Sequence, residues 1–183
     1  PVIGALQAAK DFGAQIILVG RGEEILSVMR SQGYNDLPDG IEIAHADEVV
    51  DMHDDPANVI RKKKNSSMVI GLKMLADGLG DAFVSAGSTG ALLSGATLLV
   101  KRVKGIRRAA MGPTMPNKAG GKTVILDCGA NAECTPEFLL QFGLVGSIYA
   151  KKCLGVENPK IGLLNIGTED SKGTPLQKEA YGL

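Results

Sequence analysis

Short unbroken apolar runs, each set between stretches of helical periodicity, constrain this chain more than any other feature. Ile16–Val19 (IILV), Val124–Asp127 (VILD) and Ile161–Ile166 (IGLLNI) are too short for helices. They also lack the polar alternation of a strand wetted on one face. They therefore predict strands buried on both faces, as in parallel sheets covered by helices. Residues 40–46, 81–86 and 109–116 read as further strands, and 109–116 is joined to 122–130 by a turn at Asn117–Gly121. Helical spacing recurs over 1–13, 21–33, 56–76, 88–104 and 135–152, with a last helix after 173. The 56–76 stretch has a break signal at Asn65–Ser66–Ser67, where a new N-cap is available. The fold class expected is α/β: a three-layer α/β/α sandwich around a mostly parallel, doubly wound sheet. The pattern opens and closes inside helices, so the expectation is one α/β domain over 1–183. It would be a piece of a longer chain, without that chain's N-terminal segment and C-terminal part.

Charge excludes some partners. Lys plus Arg and Asp plus Glu number 20 each, which leaves no bulk field to attract nucleic acid. A charged partner must meet a local patch, and two are available: Arg61–Lys64 (RKKK) and Lys101–Arg108 (KRVKGIRR). In the second, Lys101, Arg102, Lys104, Arg107 and Arg108 read either as cations complementing a helix C-terminus or as a docking patch for an acidic partner. The three cysteines, Cys128, Cys134 and Cys153, have no CxxC spacing. That suits a reducing compartment and argues against structural zinc. Cys128, at the end of an apolar run, reads as a small packing residue. His53 in DMHDDP has carboxylate neighbours without ligand spacing, which reads as a polar loop. No metal or cofactor is expected.

Chemistry in an open α/β sheet lies at the carboxyl ends of strands. After Phe83–Ala86 comes Gly87-Ser88-Thr89-Gly90 at the start of a helix. Glycines there admit a ligand close to the backbone, and two hydroxyls and the helix dipole favour an oxyanion. The plainer reading, that Ser88 or Thr89 caps the helix, stays open. Neither a Walker loop nor GxGxxG is present, so nucleotide binding finds no support. After Val124–Leu126, Asp127 and Asn131 flank a short turn. Asp127 is a base or an orienting group and Asn131 an oxyanion donor, unless the pair only stabilises an Asx-type turn. Asn165, Gly167 and Glu169 follow the next apolar run and permit the same two readings.

Taken together, RKKKNSSM (61–68), DAFVSAGSTGALLSGA (81–96), KGIRRAAMGPTMP (104–116), the block at 125–150 and NPKIGLLNIGTEDSKG (158–173) resemble the PlsX-type phosphate acyltransferases of bacterial phospholipid synthesis. The resemblance covers nearly the whole chain. The family's opening Asp-x-Met-Gly-Gly-Asp segment and its later Asp-Gly-Phe segment are not in these residues. The family usually has Asn where Ser88 stands, Val-Asp at Ala132-Glu133, a polar residue near Phe138 and an aliphatic one at Cys128. The resemblance implies the fold of phosphotransacetylases and isocitrate/isopropylmalate dehydrogenases. It implies transfer of a fatty acyl group from acyl carrier protein to inorganic phosphate, giving acyl-phosphate. It also implies a homodimer in the cytoplasm, peripheral at the inner face of the membrane.

On that reading Asp127, Asn131 and Asn165 serve the reacting centre. Arg61, Ser85, Gly87, Ser88, Thr89, Gly90, Gly167 and Glu169 hold phosphate or substrate, and the 101–108 cations dock the carrier protein. The alternatives are phosphotransacetylase-like exchange between a coenzyme A thioester and phosphate, or a non-catalytic phosphate- or acyl-binding scaffold.

Overall fold

The computed structural model describes residues 1–169 and 171–183 and divides into two compact units, Pro1–Lys101 and Arg102–Leu183. In the first, helix α1 (Val2–Phe12) ends at Gly13, whose φ of 63° lets its N–H reach Ala9 O at 3.0 Å. Strand β1 (Ile16–Gly20), helix α2 (Gly22–Ser31) and strand β2 (Ile41–His45) form a β-α-β unit with parallel strands, in register from Ile16↔Ile41 to Gly20↔His45. Leu6, Leu18, Ile25, Met29 and Ile41 close its core between the two helices and the strand pair. These elements fall where apolar periodicity puts them.

The 56–76 stretch is broken where the capping signal lies. Helices α3 (Val59–Lys62) and α4 (Ser67–Ala76) are separated by Ser66, which is fully buried. Its Oγ accepts from Val69 N–H at 3.4 Å and donates to Lys63 O at 2.8 Å, so burial leaves no polar atom unpaired. Helix α5 (Thr89–Gly95) continues as a π-helical turn, Ala96–Val100. Val59, Ile60, Met68, Val69, Leu72 and Ala91 make a second core from α3, α4 and α5. The helix expected over 88–104 stops earlier, at Lys101, whose φ is 73°. The strand expected over 81–86 is irregular, because Phe83 packs instead onto Gly71, where a Cβ would meet its ring at 2.3 Å.

In the second unit β3 (Thr114–Pro116) and β4 (Lys122–Val124) form an antiparallel hairpin. Asn117 Oδ1 builds its turn by accepting from Ala119 and Gly121 N–H at 3.1 and 2.9 Å. Both strands are shorter than expected, since the chain leaves the ladder after Val124. Helix α6 (Pro136–Leu154) has proline in its first turn and Gly155 (φ 70°) after its last. Gly146 on α6 gives Leu126 room, a Cβ there falling 2.9 Å from Leu126 Cδ1, and Gly143 faces Ile161. Helix α7 (Pro175–Gly182) opens on a Thr174–Gln177 capping box.

The strand expected over 161–166 is not formed among the described residues, and Leu164 and Ile166 are each 87% exposed. The burial expected for this run is thus not found. Cys128 is also exposed rather than packed, because the chain turns outward once its N–H has bonded Met111 O at 2.9 Å. The architecture is α/β, with a parallel strand pair and flanking helices.

Candidate functional site

Each group of predicted site residues is built by its own stretch of chain. At the start of α5, Ser88 is the N-cap: its Oγ accepts from Ala91 N–H at 3.3 Å, and the residue is only 6% exposed. Capping leaves the hydroxyl proton free to donate. Ser85 Oγ accepts from Gly87 N–H at 3.2 Å, so this amide is spent inside the turn. The Thr89 and Gly90 amides are the first of the helix and find no acceptor among the described residues, and Thr89 is exposed. Two free N–H groups, a hydroxyl and a positive dipole end can hold an oxyanion. Gly90 has a second reason to be small, since a Cβ there would lie 2.9 Å from Pro56 Cγ. Arg61 is exposed on α3, which packs on α5 through Ile60 and Ala91. Lys63, also in the basic RKKK run, is not free. Its Nζ bonds Asp54 Oδ2 at 2.5 Å and Val49 O at 2.9 Å, tying down the DMHDDP loop.

Asp127 and Asn131 are joined directly. Asp127 Oδ1 accepts from Met111 and Ala130 N–H at 2.7 and 3.2 Å; Oδ2 accepts from Asn131 N–H at 2.7 Å and Asn131 Nδ2 at 3.1 Å. Partial burial pushes the Asp127 carboxyl up, but these donors outweigh it and hold the group below the usual carboxylate range. A carboxylate so held is a weak base and a strong anchor. Asn131 Nδ2 also donates to Ala109 O at 2.9 Å, so both its hydrogens are used inside the protein. Its carbonyl oxygen, not its N–H, is the atom left to offer. Nearby, burial and then the Asp127 charge raise the Cys134 thiol, against a smaller opposing effect of Arg108. It is therefore held as thiol rather than nucleophilic thiolate.

Asn165 bonds within its own loop, with Oδ1 accepting from Ile166 N–H at 2.9 Å and Nδ2 donating to Lys172 O at 3.3 Å. Gly173, at φ 92°, lets that side chain in, a Cβ there falling 2.7 Å from Asn165 Oδ1. Gly167 and Glu169 lie in the same loop, where a Cβ on Gly167 would fall 2.6 Å from Glu169 Oε2, and Glu169 is exposed. No hydrogen bond among the described residues links this loop to Asp127 or Asn131.

Lys101, Arg102, Lys104, Arg107 and Arg108 are all exposed. All but Lys101 lie past the helix end in a loop, so dipole complement does not account for them. Sequence reasoning missed the residue that holds this loop, Gln141 on α6, whose only signal is a lone amide in an apolar helix. It also missed the cluster at the carboxyl ends of β1 and β2. There Gly22 N–H donates to His45 Nδ1 at 3.3 Å, His45 Nε2 bonds Asp47 Oδ1 at 2.8 Å, and Arg21 bonds Glu24 and Asp47 O. These groups satisfy one another around the start of α2. Among the described residues no group of His, Cys, Asp or Glu could hold a metal, and no helix is long and apolar enough to cross a membrane.

Comparison with known proteins bears on the whole stretch. A family model described as "Fatty acid synthesis protein" matches residues 1–183. A protein of Bacillus thuringiensis (strain Al Hakam) named phosphate acyltransferase is 43% identical over 183 residues, all of this chain and 54% of the relative. One of the same name from Alkaliphilus oremlandii (strain OhILAs) is 47% identical over 182 residues, 100% of this chain and 53% of the relative. The chain therefore spans about half the length of the curated relatives it matches. With the match running from the first residue to the last, this chain belongs to the fatty acid synthesis protein family.

Proposed function

We propose that these residues form part of a phosphate acyltransferase that moves a fatty acyl group from acyl carrier protein to inorganic phosphate. The observation that carries this is the start of α5, where the Thr89 and Gly90 amides lack acceptors beside an exposed hydroxyl, in a chain whose relatives are named for acyl transfer to phosphate. A phosphate oxygen attacks the thioester carbonyl, the new C–O bond forms, and the C–S bond breaks as the tetrahedral oxyanion collapses. The thiolate leaves and takes a proton from water. With a thiol of pKa about 8.5 departing, no strong general acid is required. What the reaction needs is phosphate held beside the carbonyl.

Thr89, Gly90 and the Ser88 hydroxyl hold phosphate with Arg61 assisting, and Ser85 and Gly87 shape their turn. Asp127 and Asn131 orient one loop and Asn165 another, in which Gly167 and Glu169 meet substrate. Lys101, Arg102, Lys104, Arg107 and Arg108 receive the acidic carrier protein. The full fold on this reading is a three-layer sandwich with a doubly wound sheet, in a homodimer working in the cytoplasm at the membrane surface. The parallel β1–β2 pair, packed against helices, supports the sheet.

The test is full-length protein incubated with long-chain acyl carrier protein and phosphate, with acyl-phosphate as product. Thr89→Ala should raise KM for phosphate about tenfold, the loss of one charge-assisted hydrogen bond, without changing Tm. Unaltered phosphate kinetics would remove Thr89 from the site. Turnover of coenzyme A thioesters in preference to the carrier-protein thioester would make the enzyme a phosphotransacetylase instead.

A further inference from the structure

One side chain fastens the basic loop to α6. Gln141 Oε1 accepts from Arg107 N–H at 2.8 Å and its Nε2 donates to Gly105 O at 3.0 Å, so both ends of a single amide grip the backbone of one turn. One helical turn earlier on α6, the Arg108 guanidinium carbon lies 5.5 Å from the centroid of the Phe138 ring, within cation–π range. Arg102, Lys104, Arg107 and Arg108 are exposed, and none forms an ion pair with a described residue. The acidic neighbour, Glu137, takes its hydrogen bond from Thr135, with Arg107 only a minor influence on it. Leu140 and Leu144, 39% and 52% exposed, open an apolar edge on the helix that carries the clamp.

Flexible cations lose rotamer and backbone freedom when they bind. A loop already clamped in place avoids part of that loss. We propose that Gln141 is a positioning residue that holds Arg107 and Arg108 ready to dock an acidic helical face of a protein partner. The inference rests on the carrier-protein reading above and names the surface that reading requires. Four exposed cations without ion-pair partners among the described residues match a partner that is acidic. The absence of net charge on the chain gives no wider field for a nucleic acid.

The experiment uses full-length protein carrying Gln141→Ala, Phe138→Leu or the pair Arg107→Glu/Arg108→Glu. Steady-state kinetics are followed with long-chain acyl carrier protein and, separately, with the coenzyme A thioester. Gln141→Ala and Phe138→Leu should each raise KM for the carrier thioester about fivefold at low ionic strength. They should leave kcat, KM for phosphate and coenzyme A thioester kinetics unchanged. The gap from unaltered protein should close near 0.5 M salt, where the Debye length falls to about 4 Å. If charge reversal raises the carrier KM and Gln141→Ala does not, the clamp inference is overturned and carrier docking stands. If neither changes carrier kinetics, both fall. A loss of phosphatidylglycerol-vesicle binding without a carrier effect would assign the surface to the membrane and overturn the inference. So would an equal loss with both thioesters.

Discussion

Asp127 shows how one side chain can organise a loop. Its two oxygens collect four N–H donors from Met111, Ala130 and Asn131, and its carboxyl sits below its ordinary range as a result. A carboxyl lowered in the folded state stabilises that state above the unfolded value, near pH 4, and loses this contribution as pH falls through the folded value. Asp127→Asn should therefore lower stability at pH 7 by roughly 1 kcal/mol, the effect of weakening a part-buried charge-assisted cluster. It should also flatten the acid limb of the Tm-against-pH curve. An unchanged acid limb would mean that the other lowered groups, Asp54, Asp55 and Glu137, carry the pH dependence. Ser88 and Thr89 separate at this scale too. Ser88→Ala removes a cap and should cost about 1 kcal/mol in denaturant titration, which Thr89→Ala should not. Ser88 as a cap was legible in the sequence. That Asn131 has no hydrogen left to donate was not, because one of its acceptors is the carbonyl of Ala109, 22 residues away.

At the scale of elements, small residues decide how α3, α4 and α5 meet. A Cβ at Gly95 would fall 2.6 Å from Leu72 Cδ1 and 3.1 Å from Ile60 Cδ1. Gly95→Val should therefore overpack this core and cost about 1–3 kcal/mol, seen as a lower urea midpoint with unchanged slope. Ser66→Ala loses the cap and leaves the buried Val69 N–H without its acceptor, so it should lower Tm more than an exposed cap substitution does. Gly87 and Gly90 read in sequence as openings for a ligand. Gly90 turns out to be small also because Pro56 presses on it, as Leu72 and Ile60 press on Gly95. Periodicity announces a helix but does not say which of its faces another element approaches.

For the whole molecule, the apolar run at 161–166 is the main tension. Leu164 and Ile166 stand exposed although their sequence is that of a buried strand. If the doubly wound sheet proposed above is right, amides 161–166 of the full-length protein should resist hydrogen exchange about as well as those of β1. Exchange as fast as in the Asn117–Gly121 turn would rule the sheet out. The chain spans about half of its relatives, and its two units each hold their own contacts.

The order of residues alone settled whatever depends on neighbours within a few positions. This covers the strand, helix and strand over 16–45 as separate elements, the Asn117–Gly121 reversal, the Ser66 break, and the starts of α6 and α7 at prolines behind threonines. Tertiary structure decided which polar groups were already spoken for and which stayed free. Asn131 is committed to Ala109 and Gln141 to Gly105 and Arg107, whereas the Thr89 and Gly90 amides keep no partner among the described residues. Caps and turns are satisfied by atoms a few bonds along the chain, so their residues announce them. A hydrogen bond across 22 to 36 residues exists only once packing has brought its two ends together.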